Sequence, residues 1–459
     1  MTDTGNNKQK TGVNIRELIL GILLEITVED AHSHVVLRNV LEKYQYLDKK
    51  ERAFIQRVCE GTLENMIRID YILDQFSKVK TQKMKPVIRC IMRMSVYQLF
   101  YMDSVPASAV CNEAVKLAEK KGFHNLKGFV NGVLRNISRS KDAVKEPVKS
   151  DNPLQYLSVR YSMPMWIVEK WCAAYEFDTV EKMCTALLAE QPTTIRCNLN
   201  LNTAEKLRKT LEQEGITVKA APYLDYAFEI EGYDHVNAIR AFREGLFQIQ
   251  DISSMLIGEI AAPKEGAHII DVCAAPGGKS LHLADKLKNT GLIEARDLTE
   301  AKIELIEHNI ERCKVLNVKA VQADALIFDE QSVEQADILL ADLPCSGLGV
   351  LARKSDIKYK MSLKQQDELA ALQREILKTV YQYVKVGGVL LYSTCTINIE
   401  ENEDNLNWFL EHYPYRLDAL DPYLPKELQS ETTAKGYLQL LPGIHQADGF
   451  FMARLIREA

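Results

Sequence analysis

The sequence predicts a doubly wound α/β domain at the carboxyl end of the chain, preceded by an all-helical domain and a small α+β subdomain. Three observations predict it. The stretch DVCAAPGGKS, Asp271 to Ser280, passes from an apolar strand (His268-Ile269-Ile270-Asp271-Val272) through a small-residue turn into a helix, the order that opens the nucleotide-binding half of such a sheet. Successive strand patterns beyond it end on acids, at Asp297, Asp324 and Asp342. The first third of the chain shows helical periodicity and no strand alternation.

In chain order, the apolar residues Ile15, Leu18, Ile19, Ile22, Leu23 and Ile26 recur at helical spacing, as do Phe129, Val130, Val133, Leu134 and Ile137. Together they bound a helical bundle of domain size. RSKDAVKEPVKSDNP, Arg139 to Pro153, is charged and proline-bearing with little to bury and reads as a linker. A strand at Thr193 to Asn198, a helix at Thr203 to Glu214 and a strand at Ile216 to Val218 then give the mixed subdomain. From Ile269 the rhythm is regular. A strand ends at Asp297, a helix places Ile303, Ile306, Ile310 and Cys313 on one face, and strands follow at Val318 to Asp324, Asp337 to Asp342 and Gly387 to Tyr392.

The chain has 459 residues, 46% hydrophobic and 26% charged, enough for two to four globular domains. No apolar run approaches a membrane span, and the polar start MTDTGNNKQKTG lacks a signal core, so a cytoplasmic protein with no membrane partner is expected. The ten cysteines are scattered with no C-x-x-C pair, so no metal site is expected and reduced thiols are. The net charge of −6 conceals an asymmetry. Residues 1–150 hold 25 Lys+Arg against 17 Asp+Glu, an excess of +8, which leaves 32 against 46, or −14, for the remainder. Such an excess is also what a solvated helical surface carries; a polyanionic partner becomes the better reading if another domain acts on nucleic acid.

DVCAAPGGKS is not a triphosphate loop. A Walker A motif needs glycine where Cys273 stands, and the match fails at the turn. Asp297, 26 residues after Asp271, is near the spacing of a carboxylate that accepts both ribose hydroxyls. An adenosine without a triphosphate is therefore the expected cofactor type. Each acid alone would be an ordinary helix cap. Two further tetrads decide between these readings: Asp342-Leu343-Pro344-Cys345 and Ser393-Thr394-Cys395-Thr396 each set a cysteine just past a strand's carboxyl end. One buried cysteine is commonplace, but two at the mouth of one crevice point to thiol chemistry.

With these motifs the chain resembles the Sun-type RNA cytosine carbon-5 methyltransferases that use S-adenosyl-L-methionine. The resemblance is carried by FQIQDISS from Phe247, DVCAAPGGKS, DLPCSGLGV from Asp342, YSTCT from Tyr392 and LLPGIHQADGFF from Leu440, in that order. The first region resembles the NusB helical fold, and the pairing is similar to the bacterial branch that acts on 16S rRNA. The resemblance implies a Rossmann-like class I methyltransferase domain over 248–459. Before it stand residues 1–10 as a disordered tail, an RNA-binding NusB-like domain over 11–140, a linker over 141–152 and the α+β subdomain over 153–247. It further implies 16S rRNA as partner, no DNA, and a monomer.

Carbon 5 of cytosine is too poor a nucleophile to take a methyl group unaided, and a thiolate added at carbon 6 turns the ring into an enamine. By resemblance Cys395 is that nucleophile, and Cys345 assists proton removal and release. In related DNA enzymes the Pro-Cys thiol is the nucleophile instead, so the two motifs together favour RNA. The same resemblance places Asp342 beside the base and methyl donor and Lys279 near the target's base or phosphate. It places Cys273, Ala274, Ala275, Pro276, Gly277, Gly278 and Lys279 around the methionine part, Asp297 at the ribose and Asp324 at the adenine. The target base must be single-stranded or flipped out. Arg296 departs from the apolar stretch usual before the ribose acid. Two rival readings are a non-catalytic RNA-binding factor, which the intact Cys345 and Cys395 oppose, and a DNA or tRNA methyltransferase, which the NusB-like region opposes.

Overall fold

The computed structural model describes residues 12–459; the tail expected over 1–10 lies outside the described residues. The chain forms two compact units. One runs to Ala173 and takes in Lys354–Lys360; the other comprises Ala174–Arg353 and Met361–Ala459.

The first unit is helical, with long helices at Ile15–Thr27, Lys49–Glu64, Pro86–Tyr101, Ala107–Lys120 and Lys127–Arg139. Its core is the face that the periodicity marks. Ile19, Ile22, Leu23, Ile26, Val130, Leu134 and Ile137 are all buried, each contributing about 1.5–3 kcal/mol of apolar burial. Asp48 and Glu51 form a reciprocal capping box at the start of Lys49–Glu64, satisfying donors that a helix end leaves open. The stretch expected as a linker over 141–152 is instead tied into this unit. Gln75 and Lys145 exchange hydrogen bonds, Glu146 pairs with Arg68 and Arg160, and the helix Pro153–Arg160 belongs to the same unit. A charged stretch reads as a linker from composition, yet opposite charges elsewhere in the chain can hold it down.

Lys354–Lys360 also packs among these helices. Asp356 accepts from Ser33 N at 3.0 Å and Ser33 Oγ at 2.5 Å, capping Ser33–Lys43, whose own N-cap His32 makes no side-chain bond. Lys358 donates to Glu64 O, and Lys360 to Asp30 O and Ala31 O.

In the second unit a four-stranded antiparallel sheet has the order β2-β3-β1-β4, from β1 (Thr193–Cys197), β2 (Thr217–Ala220), β3 (Ala227–Glu231) and β4 (Phe247–Ile249). The expected boundary at 247/248 falls inside β4, because Phe247, Gln248 and Ile249 pair with β1. The large sheet is built from β5 (His268–Asp271), β6 (Leu292–Asp297), β7 (Val318–Gln322), β8 (Ala336–Asp342), β9 (Val384–Thr394), β10 (Tyr415–Leu417), β11 (Tyr437–Leu440) and β12 (Phe450–Arg457). Its order is β10-β12-β9-β8-β5-β6-β7, with β11 also paired to β12. β5 to β9 are parallel; β12 runs antiparallel to β9. The order reverses between β5 and β8, and the crevice at such a switch point is where these sheets bind ligands. This is a Rossmann-like fold with a mixed sheet. One apolar core runs from Ile195 and Leu211 of the small subdomain through Ile269 and Leu340 to Met452.

Among the described residues no helix is long and apolar enough to cross a membrane. No group of three or more His, Cys, Asp or Glu side chains there could hold a metal ion.

Candidate active site at the carboxyl ends of the parallel strands

Ile269 and Ile270 of β5 are wholly buried, as expected of a central strand covered on both faces. The chain then turns sharply and is held from three sides. Ala274 N donates to Arg296 O at 2.8 Å, Ala275 N to Asp297 Oδ2 at 2.9 Å, and Asn309 Nδ2 to Pro276 O at 3.0 Å. Gly277 sits at φ +98°, a conformation that a side chain would strain. Gly278 and Lys279 open the helix Gly278–Lys286. Cys273 packs beside the apolar cluster of Val272 and Ala341; burial, then the charges of Asp271, Asp297 and Asp342, push its thiol well above the usual range. Asp271 beneath the turn is likewise pushed up to about 7 by burial, while accepting from Ser280 Oγ at 2.6 Å.

Asp297 ends β6 and is buried. Its Oδ2 braces the turn, and its Oδ1 accepts from Leu298 N and Lys302 Nζ, both at 2.8 Å. Arg296 does not disturb it. Neighbours on a strand face opposite ways, and Arg296 instead meets Glu294, Asp329 and Ser332. Asp324 corrects the expected pattern: β7 stops at Gln322, and Asp324 lies two residues on, its Oδ1 accepting from Leu326 N at 2.9 Å. It borders a cavity of about 680 Å³ that also touches Val272, Ala323 and Ala325. The set fits an adenosyl group with an amino-acid tail. The backbone at Gly278 faces open space and Asp297 closes β6, while Asp324 lies two residues beyond β7 and borders a cavity that neither Asp297 nor Cys273 to Lys279 lines.

The reactive cluster stands beside it. Asp342 of β8 is in parallel register with Ser393 of β9, so Cys345 and Cys395, three and two residues beyond, emerge together. Their sulfurs are 3.2 Å apart. The hydrogen bond to Cys395 and then burial raise the Cys345 thiol well above its ordinary value, with further contributions from the charges of Cys395 and Glu401. Asp342 Oδ2 accepts from Lys279 Nζ at 2.6 Å and Oδ1 from Ser393 Oγ at 2.8 Å. Burial draws the Lys279 pKa down, but the charge and hydrogen bond of Asp342 outweigh it, leaving the group above an ordinary lysine. The ammonium also lies 5.3 Å from the centroid of the Phe450 ring. Gly349 is required here, since a Cβ would come within 1.9 Å of Gly449 O.

The structure thus brings together Lys279, Asp342, Cys345 and Cys395, and lines up Cys273 to Gly278 with Asp297. It adds residues that sequence reasoning did not name. Arg353 joins three motif segments, donating to Asp251 Oδ2 at 3.0 Å and Asp448 Oδ2 at 2.7 Å. Burial and the Asp251 charge push Asp448 up to about 7 despite that partner. Arg353, Gln248, Gln250 and Lys279 border a second cavity of about 250 Å³. Phe450 had a signal, the ADGFF stretch, but nothing local marks β12 as returning antiparallel beside β9.

Residues 259–456 match the profile of the family described as 16S rRNA methyltransferase RsmB/F, residues 13–139 that of the NusB family, and residues 163–237 the ferredoxin-like domain of RsmF/B-like methyltransferases. A probable ribosomal RNA small subunit methyltransferase B of Bacillus subtilis (strain 168) is 34% identical over 450 residues, 96% of this chain and 98% of that one. The ribosomal RNA small subunit methyltransferase B of Cronobacter sakazakii is 30% identical over 457 residues, 98% of this chain and 100% of its own. Among solved structures, PH0851 is similar with a TM-score of 0.81 at 25% identity, covering 98% of this chain and 100% of that one. NSun6 from Pyrococcus horikoshii, solved with SFG, a S-adenosylmethionine analogue, is similar with a TM-score of 0.57 at 25% identity, covering 63% and 97%.

Proposed function

The chain belongs to the RsmB/F family of 16S rRNA methyltransferases, which use S-adenosylmethionine, and from that premise we propose that it methylates carbon 5 of a cytosine through a transient Cys395–cytosine bond. The observation that carries the reading is the thiol pair, 3.2 Å apart, on the loops that follow Asp342 and Ser393. Methylation of a ring nitrogen or a hydroxyl needs no thiol, whereas carbon 5 must first be made electron-rich.

Bound S-adenosylmethionine supplies an electrophilic methyl group. Cys273 to Lys279, with Asp297 and Asp324, hold and orient it. Lys279 and Ser393 fix both oxygens of Asp342, which positions the flipped base; Lys279 supplies a fixed positive charge beside it. Cys395, as its thiolate, adds to carbon 6, placing on carbon 5 the electron pair that takes up the methyl group. Cys345, its own proton first given to solvent, takes the carbon 5 proton, the C5=C6 bond re-forms, and Cys395 leaves as thiolate. The decisive assay offers unmodified 16S rRNA, 23S rRNA and tRNA with methyl-labelled S-adenosylmethionine. Label should appear as 5-methylcytosine in 16S rRNA; label in another nucleoside would overturn the reading.

Asp297→Ala should weaken S-adenosylmethionine binding roughly tenfold or more, the loss of charge-assisted hydrogen bonds worth about 1.5–3 kcal/mol. Calorimetry giving wild-type affinity would remove Asp297 from the cofactor site.

The basic first unit is the proposed source of rRNA affinity, and the structure ranks its candidates. Lys120 and Lys121 both bind Glu17, at 2.5 and 2.8 Å, so part of their charge is spent. Arg135 is exposed and donates to neutral Asn131 at 2.9 Å. Arg135→Glu should lower rRNA affinity and flatten its salt dependence by about one or two counterions, leaving cofactor affinity unchanged. Equal salt slopes in filter binding would make Arg135 a solvated surface residue. Deleting residues 1–145 is a poorer test, because Asp356, Lys358 and Lys360 would lose the partners described above.

A further inference from the structure

Behind the two thiols lies a buried polar network that the proposed chemistry does not use. After Cys395 the chain makes a short turn, Ile399–Glu401, and enters the helix Glu403–His412. At the junction Glu401 and Asn402 are both fully buried. Burying a carboxylate is costly unless donors surround it, and four converge on this one. Glu401 Oε1 accepts from Ser346 Oγ at 2.5 Å and Asn398 Nδ2 at 2.8 Å; Oε2 accepts from Ser346 N at 2.8 Å and Gln373 Nε2 at 3.2 Å. Ser346 immediately follows Cys345. The same Gln373 amide donates to the carbonyl of Pro344, which immediately precedes it, at 2.9 Å.

Asn402 does the same for the other thiol. Its Oδ1 accepts from Thr394 Oγ1 at 2.5 Å, and its Nδ2 donates to Thr396 O at 3.1 Å. Thr394 and Thr396 are the two neighbours of Cys395. The halves are also joined directly, Ser346 Oγ to Thr396 Oγ1 at 2.8 Å and Gly349 N to Cys395 O at 3.1 Å. Each cysteine is therefore gripped through the residues before and after it, and the grips converge on one dipeptide.

We infer that Glu401-Asn402 is a positioning element that sets the separation and orientation of Cys345 and Cys395. Neither residue touches the reacting atoms. A thiol that must attack one face of a ring and a second that must collect a proton tolerate little misplacement, since displacement of the order of 1 Å can cost about a hundredfold in rate. A carboxylate is needed at 401 because all four partners donate, and a glutamine amide would set donor against donor. An amide is needed at 402 because it accepts from Thr394 while donating to Thr396. The Glu401 charge is also among the groups that hold the proton on Cys345, after Cys395 itself and burial.

The inference rests on the proposed thiol chemistry for its consequence but not for its first test. Full-length protein carrying Glu401→Gln, Asn402→Asp or the milder Ser346→Ala would be treated with diamide in the absence of RNA. The two thiols lose two electrons and two protons to diamide, which becomes the hydrazine, and Cys345–Cys395 disulfide formation is followed by peptide mass spectrometry. Both isosteric variants should form that disulfide at least about tenfold more slowly than wild type, with S-adenosylmethionine affinity within about twofold. In methyl transfer they should lose about a hundredfold in kcat with KM for RNA nearly unchanged. If an isosteric variant does not fold, Ser346→Ala decides, since it removes one hydroxyl and keeps the backbone donor. Wild-type oxidation rates in the folded variants would overturn the positioning role whatever the activity. A wild-type enzyme that makes no 5-methylcytosine would overturn the functional reading, while the oxidation rates still decide the positioning role.

Discussion

Cys395→Ala is expected to abolish methyl transfer, by on the order of a thousandfold or more, while S-adenosylmethionine binds within about twofold of wild type. The expectation follows from what the side chain touches. The cofactor turn is braced by Arg296 O, Asp297 and Asn309, none of which depends on the thiol at the end of β9. The Lys279–Asp342 pair keeps Ser393 as its second anchor, so the base site survives as well. The reaction loses the one group able to make carbon 5 nucleophilic. Calorimetry for binding and release of tritium from 5-tritiated cytosine for turnover separate the two effects. Ordinary turnover in this variant would sink the nucleophile assignment.

Local signals in the sequence carried the strand–turn–helix at Asp271, the parallel strands from Ile269 and both cysteine loops, because small-residue turns and acids at strand ends are written in consecutive residues. They also mark the helices Ile15–Thr27 and Lys127–Arg139, most of whose periodic residues are buried. They do not suffice where structure depends on partners far along the chain. Asp324 reads as a strand end, but pairing with β6 runs only to Gln322. The charged stretch over 141–152 reads as a linker because its partners, Arg68 and Gln75, lie some seventy residues away. Lys354–Lys360 carries no local signal of its placement and packs with helices more than 290 residues earlier. Glu401 and Asn402 carry no local signal of their role, because Ser346 and Gln373, on a loop and a helix far earlier in the chain, reach Glu401 only through the fold. What was legible of the candidate site was the set of side chains that the structure brings together, Lys279 with Asp342 and Cys345 with Cys395, and what was hidden was the shell that holds them.

Cys345→Ala should convert a turnover enzyme into one that traps its substrate. In the free protein the hydrogen bond to Cys395 is the first cause that keeps Cys345 protonated. Once Cys395 is bonded to carbon 6 its sulfur is a neutral thioether, and that cause disappears, as does the charge beside Cys345. The thiol can then give up its proton to solvent and act as the base that removes the proton from carbon 5, within reach because the two sulfurs start 3.2 Å apart. Elimination restores the C5=C6 bond and expels Cys395. In Cys345→Ala the adduct still forms and the methyl group still arrives, but no group remains to take that proton. Lys279 is no substitute, since Asp342 holds it above an ordinary lysine and so protonated. Incubation with labelled 16S rRNA and S-adenosylmethionine should therefore yield a band that survives denaturing electrophoresis, with multiple-turnover rates reduced on the order of a hundredfold or more. Adding Cys395→Ala should remove the band, which distinguishes the adduct from adventitious crosslinking. If the single variant turns over normally and leaves no denaturation-resistant complex, Cys345 is not the group that releases the product.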